Sequence, residues 1–245
     1  MTFSAPIDNA GLPLVLIGGT LCNARLWQPL LERLNASAVF CLTLTGAASA
    51  AEAARRLLPV LPPRFMLAGF SLGAIVALQI AADAPQRLAG LALLSVNPLA
   101  DRPENAAARR AAVQAAREQG HARWLSSALW RRYVAPSSLS NRALHDTLCQ
   151  MAQETDSDTF AQQTGIAISR RDNRDALRAL ACPVLILNGE HDPICTPEHH
   201  QIAAESAPGA RCLTLQSAGH FFVLESPDEA AAPLRQWMME SMICE

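Results

Sequence analysis

The sequence contains no lysine: every one of its 20 basic residues is arginine. That absence removes the chemistries that need an amine. No lysine can hold phosphate in a P-loop, form a Schiff base with pyridoxal phosphate or complete a Ser-Lys dyad. Charge is also scarce, with 17% charged residues and a formal net charge of −2. A surface for nucleic acid or anionic lipid needs a basic excess, so neither partner is expected. No apolar run approaches the ~18 residues of a membrane span. The opening MTFSAPIDNAG lacks the basic and apolar regions of a signal peptide, and a cytoplasmic location is the expectation. The seven cysteines (22, 41, 149, 182, 195, 212 and 244) are odd in number and form no CxxC pair. Neither a disulfide framework nor a zinc ribbon is therefore supported, and most of the thiols are expected to be small core residues or inert.

What is present is 245 residues, half of them hydrophobic, enough for one large α/β domain with a sizeable core. Short apolar runs alternate with helix-patterned segments through the first hundred residues. LVLIG (14–18), AVFCLTL (38–44), FMLAGF (65–70) and LAGLALLSV (88–96) read as strands, with LWQPLLERL, AEAARRLLPVL and LGAIVALQIAADA as helices between them. Strands that are apolar throughout are buried on both faces, as in a parallel sheet covered by helices. The pattern resumes at PVLILNG (183–189), followed by a helix over 198–206, the strand ARCLTLQ and a closing helix over 227–242. Residues 101–181 show no strand-like run and read as a helical insertion folded over the sheet. The insertion carries 12 Arg against 9 acidic residues, and the remainder 8 Arg against 13, so the excesses are +3 and −5. A solvated helix face accounts for most of these arginines, and a few are candidates for an anionic substrate or partner.

The sharpest signal is Gly69-Phe70-Ser71-Leu72-Gly73, a G-x-S-x-G pattern between an apolar strand and a helix. A nucleophile on so sharp a turn exposes its hydroxyl. Residues two before and two after must then be small to avoid collision. Ser71 also lies at a helix N-terminus, where free N–H groups favour developing negative charge, and the Leu72 amide is a candidate oxyanion donor. The second donor is expected from Gly18-Gly19-Thr20-Leu21-Cys22-Asn23, the loop after the first strand, most simply the Thr20 amide. Serine needs a base. Of His121, His145, His191, His199, His200 and His220, it is His220, in SAGHFFVLESP after the last strand, that falls on the same sheet edge as Ser71, whereas His191, beside the acid candidate, is expected to point elsewhere. His121 and His145 are expected at the surface of the insertion, and His199 and His200 in a peripheral helix. Asp192, in the loop after the penultimate strand, is the acid that orients the imidazole, with Glu190 and Asp101 as fallbacks. A metal site from His191, Asp192, Cys195, His199 and His200 has no HExxH-type spacing behind it. The apolar residues Trp124, Leu125, Leu129, Trp130 and Tyr133 of the insertion are candidate pocket walls, although such a stripe also suits helix packing.

With these segments in view, the chain resembles the α/β-hydrolase superfamily over nearly its whole length. GFSLG resembles the nucleophile elbow, GEHDPICTP the acid loop, SAGHFFVLESP the histidine loop and GGTLCNARLW the oxyanion loop. Three departures stand out. Gly18-Gly19 replaces the common His-Gly. Only 17 residues precede Gly18, so the usual antiparallel N-terminal strands are expected to be short or missing. LTLTGAASAAEA stands where D-x-x-G-x-G is frequent. Within the superfamily the chain is similar to small bacterial carboxylesterases with a helical cap, including the pimeloyl-carrier-protein methyl ester esterases of biotin synthesis, which use cap arginines to meet an acidic carrier protein. The resemblance implies a mostly parallel, doubly wound sheet, with residues 1–100 and 182–245 as the core domain and 101–181 as an inserted all-helical cap. It also implies a serine esterase cleaving carboxylic esters or thioesters through an acyl-enzyme. In that enzyme Ser71 is nucleophile, His220 base and Asp192 acid, and the Thr20 and Leu72 amides form the oxyanion hole. No metal or organic cofactor is implied. The expected partner is a small-molecule ester, free or linked to a carrier protein, met by a monomer or homodimer. Two rivals use the same scaffold: a lyase or cofactor-free enzyme acting on an anionic substrate, and a non-catalytic ligand-binding protein.

Overall fold

The computed structural model describes residues 5–243. Six strands, β1 (Leu14–Ile17), β2 (Val39–Leu42), β3 (Phe65–Phe70), β4 (Leu88–Leu94), β5 (Val184–Gly189) and β6 (Arg211–Leu215), form one parallel sheet in the order β2-β1-β3-β4-β5-β6. Among the described residues no strand runs antiparallel, and the chain before β1 contributes one isolated bridge between Ile7 and Ala36.

Strand side chains alternate between faces, so an apolar run feeds two cores at once. Leu14 and Leu16 of β1, Met66 and Ala68 of β3, and Leu185 and Leu187 of β5 enter one core. Val15, Ile17, Leu67 and Ile186 enter the other. The first is closed by α1 (Gln28–Leu34), through Leu30 and Leu34, and by the C-terminal helix Pro227–Ile243, through Trp237 and Met238. The second is closed by α2 (Ala50–Leu57), α3 (Leu72–Asp83) and the helix Pro197–Ser206. α3 lies at the centre and buries ten of its twelve residues, which is why its sequence is apolar on all sides and not on a single stripe.

The sheet order corrects one expectation. The run at 38–44 reads as a buried strand, yet β2 spans only Val39–Leu42 and forms an edge, with Phe40 45% exposed. Apolar composition reports a strand without reporting whether it has neighbours on both sides.

Between β4 and β5 the described chain forms helices joined by turns and no strand. α4 (Asn105–Gln119) is followed by short turns and by helices Arg142–Glu154 and Ser157–Ile168. Trp124, Leu148, Met151 and Phe160 from this segment join the core that holds Phe70, whereas Ile166, Ala167 and Leu177 join the other core. The segment thus straddles the sheet. Its two ends are pinned together at Asp101, whose buried carboxylate accepts Arg109 Nε at 2.8 Å and Arg170 Nη2 at 3.0 Å. Burial alone would raise that carboxyl. Hydrogen bonds from Arg109 and Asn105 and the Arg170 charge outweigh it and hold the group below its ordinary range. The six described cysteines are free, and no described helix is long and apolar enough to cross a membrane.

Candidate active site

The turn between β3 and α3 holds Ser71 at φ 51° and ψ −109°, a region that L-residues rarely adopt. Its glycines are compulsory here. A Cβ on Gly69 would lie 2.4 Å from the Gly73 carbonyl oxygen, and one on Gly73 would lie 2.0 Å from that of Ile17. The strained turn presents the Ser71 hydroxyl at the C-terminal edge of the sheet.

Two loops on that edge reach it. After β6, His220 Nε2 lies 3.0 Å from Ser71 Oγ. After β5, Asp192 Oδ2 lies 2.8 Å from His220 Nδ1. The other Asp192 oxygen accepts the N–H groups of Ile194, at 2.8 Å, and Cys195, at 2.9 Å. A carboxylate that accepts three hydrogen bonds is ionised, so Nδ1 carries the imidazole proton and Nε2 is left to accept one from Ser71. Burial acts to raise Asp192. The His220 interaction and the two amides more than offset it, and the carboxyl is held below its ordinary range. The imidazole is walled by Phe70 and Tyr133, each at 5.2 Å between ring centroids, and by Phe221 at 5.7 Å. Ser95 Oγ donates to the His220 carbonyl at 3.2 Å, which fixes the backbone behind the ring.

The Thr20 and Leu72 amides have no protein acceptor among the described hydrogen bonds, as oxyanion donors require. The loop after β1 is braced from the helical segment. The Leu21 amide, at φ 57°, donates to Gln163 Oε1 at 2.9 Å, and Gln163 Nε2 donates to the Leu44 carbonyl at 3.1 Å. Gly19 is needed beside them, since its Cβ would meet the Phe70 ring at 2.9 Å.

A second brace is Glu225. Its carboxylate accepts the Ala135 N–H at 2.8 Å and the Gly219 N–H at 3.1 Å, joining the helical segment to the residue before His220. Burial raises its carboxyl above the ordinary range, against the pull of those amides. Neither Gln163 nor Glu225 carries a sequence signal, because each acts on a backbone group brought close by folding.

A cavity of about 520 Å³ opens beside these residues, bounded by Thr20, Leu21 and Phe221 on the sheet side. Trp124, Leu125, Leu129 and Tyr133 line it, joined by Arg109, Arg132 and Phe160. Trp130 does not. It packs edge-on against His145 at 4.9 Å between ring centroids. The remaining candidates separate clearly. Asp101 serves its arginines, and Glu190 accepts the Ser217 N–H at 3.1 Å. His121 is buried, not at the surface, with Nδ1 2.6 Å from the Thr155 carbonyl. The metal-ligand set suggested by proximity in sequence is not assembled. Among the described residues, the group whose ligand atoms lie within 4.8 Å is Asp192, Cys195 and His220, and two of these already bond each other.

A strained serine at a strand–helix turn, met by a histidine and a carboxylate from later sheet-edge loops, defines a class. The chain belongs to the alpha/beta hydrolase family, whose model matches residues 14–233. It is 29% identical over 252 residues, 95% of each chain, to a pimeloyl-[acyl-carrier protein] methyl ester esterase of Stenotrophomonas maltophilia. A protein of the same name from Xanthomonas campestris is 31% identical over 188 residues, 72% of this chain and 71% of that one. Among solved structures, a thermophilic esterase from Thermogutta terrifontis, described as malate-bound, superposes with a TM-score of 0.84 at 26% identity, covering 94% of this chain and 90% of that one.

Proposed function

We propose that Ser71 is the nucleophile of a carboxylic ester hydrolase, with His220 as its general base and Asp192 as the acid that orients the imidazole. The chain is an esterase of the α/β-hydrolase family, and its relatives named as methyl ester esterases support ester cleavage. The observation that carries the assignment is the unbroken line from Asp192 Oδ2 through both nitrogens of His220 to Ser71 Oγ, at 2.8 and 3.0 Å.

Ser71 Oγ attacks the ester carbonyl carbon as its proton passes to His220 Nε2. The carbonyl oxygen becomes an oxyanion held by the Thr20 and Leu72 amides at the N-terminus of α3. His220 returns the proton to the departing alkoxide, leaving an acyl group on Ser71. Water then gives its proton to Nε2 and attacks the acyl carbon, and His220 passes that proton to Ser71 Oγ as the acid leaves. Asp192 stays ionised throughout and stabilises the imidazolium. Residues 101–181 act as a cap that supplies the acyl pocket, with Trp124, Leu125, Leu129 and Tyr133 in its wall. The relatives' names make a methyl ester of an acyl chain, free or carried on a protein, the substrate proposed here. All the groups named come from one chain, so the site is complete in a monomer.

The test is hydrolysis of p-nitrophenyl butyrate. The purified protein should turn it over, Ser71→Ala should lose at least ~10³-fold in kcat, and a fluorophosphonate should label Ser71 alone. An unlabelled Ser71 in folded protein refutes the assignment.

A further inference from the structure

Two arginines, Arg109 and Arg132, line the cavity beside Ser71, and no acidic residue does so among the described residues. Arg109 is held in place by Asp101, which accepts its Nε at 2.8 Å and its Nη2 at 3.0 Å. Asp101 also serves Arg170 at 3.0 Å, so one buried carboxylate faces two guanidiniums and the cluster keeps an excess positive charge. Arg132 has no carboxylate or hydrogen-bond partner among the described residues and retains access to solvent. The protein's one tyrosine, Tyr133, shares this wall and packs on His220. Burial pushes its phenol up to about 12, with Arg132 and Arg109 pulling the other way, so at neutral pH it remains a hydroxyl that donates. The rest of the wall is largely apolar, with Trp124, Leu129, Met151 and Phe160 suited to a methylene chain.

A guanidinium matches the geometry of carboxylate and phosphate oxygens, and its hydrogen bonds to them are among the stronger ones available to a protein. An apolar channel with arginines and no acidic residue in its wall, Arg132 among them unpaired, therefore suits a ligand that is apolar along its length and anionic at one end. From this we infer that the cavity selects esters whose acyl chain ends, away from the scissile carbonyl, in an anionic group, a carboxylate or a phosphate. Arg132 and Arg109 receive that group, with the Tyr133 hydroxyl beside them. Arg109 is rigid through Asp101, whereas Arg132 closes on the anion from the solvent side. The inference rests on Ser71 as the point where the ester is cleaved, and the experiment separates the two.

Binding is measured in Ser71→Ala protein by tryptophan fluorescence, with Trp124 in the cavity wall as reporter. The ligands are monomethyl esters of straight-chain dicarboxylic acids, methyl esters ending in phosphate, and neutral methyl esters of equal length. The anionic ligands should bind at least ~10-fold more tightly at low salt. Arg132→Gln should remove about 10-fold of that advantage, and added salt should shrink it. In the active protein the same preference should appear in KM and not in kcat, and the better of carboxylate and phosphate identifies the source of the anion. Equal affinity for anionic and neutral ligands of one length overturns the inference, as does an advantage that Arg132→Gln leaves intact. If the binding preference holds while no ester is turned over by the unmutated protein, the hydrolase reading fails and the anion subsite stands.

Discussion

His200 makes acid stability a quantitative test of how the sheet edge is packed. It lies in the helix Pro197–Ser206, 3% exposed, and neither ring nitrogen has a hydrogen-bond partner among the described residues. Burial lowers its pKa from the ordinary imidazole value near 6.5 to about 4. The Asp192 charge opposes that shift, and His199 and His220 add to it. In the unfolded chain the ring titrates near 6.5. As pH falls from about 6.5 towards 4, the unfolded chain takes up a proton that the folded protein refuses, and stability drops. The window is about 2.5 pH units at ~1.4 kcal/mol each, so His200 alone should remove about 3 kcal/mol of folding stability by pH 4. The perturbation is His200→Leu, which keeps an apolar filling and abolishes the titration. Urea unfolding followed by tryptophan fluorescence, at steps between about pH 7 and pH 4, gives the stability of both proteins. Other groups titrate in this range, so the quantity to read is the difference between the two proteins as pH changes. The variant should gain on the parent steadily through the window, whatever its offset at neutral pH. A difference that stays constant across the window would refute the argument, and would mean that the ring finds a partner when charged.

Two further perturbations address the acid that orients His220 and the Glu225 brace. Asp192→Asn keeps the shape but offers Nδ1 an amide in place of a carboxylate, so kcat on p-nitrophenyl butyrate should fall on the order of 10⁴-fold with an unchanged circular dichroism spectrum; a loss below about tenfold would show that His220 is oriented without it. Glu225→Ala leaves the Ala135 and Gly219 amides without their acceptor, at roughly 1–3 kcal/mol each. Its urea midpoint and its kcat should therefore both fall, with Glu225→Gln intermediate, and a variant as stable and active as its parent would disprove the role.

Much of the architecture is legible locally. β1, β3 and β4 announce themselves as short apolar runs because both faces are covered, and Ser71 is marked by glycines that its turn cannot do without. His220 and Asp192 are found by chain order, since loops at the C-terminal ends of parallel strands share one edge. Less legible is what depends on the facing of a helix. Trp124 and Trp130 are six residues apart in one apolar stretch, yet the first lines the cavity and the second packs on His145. His121, which reads as a surface residue, is buried against Thr155.

Residue type and spacing by themselves determined the strands, the strained serine turn and the absence of any lysine chemistry, because backbone conformation and burial on both faces are imposed by a residue and its near neighbours. The tertiary structure alone decided that Gln163 steadies the Leu21 amide from 142 positions away, that Glu225 ties Ala135 to Gly219, and that Arg109 and Arg132 share a wall. Those pairings arise from how the helices between β4 and β5 settle on the sheet. That settling is a sum of many weak packing contacts distributed over the whole chain, and no short stretch of sequence records it.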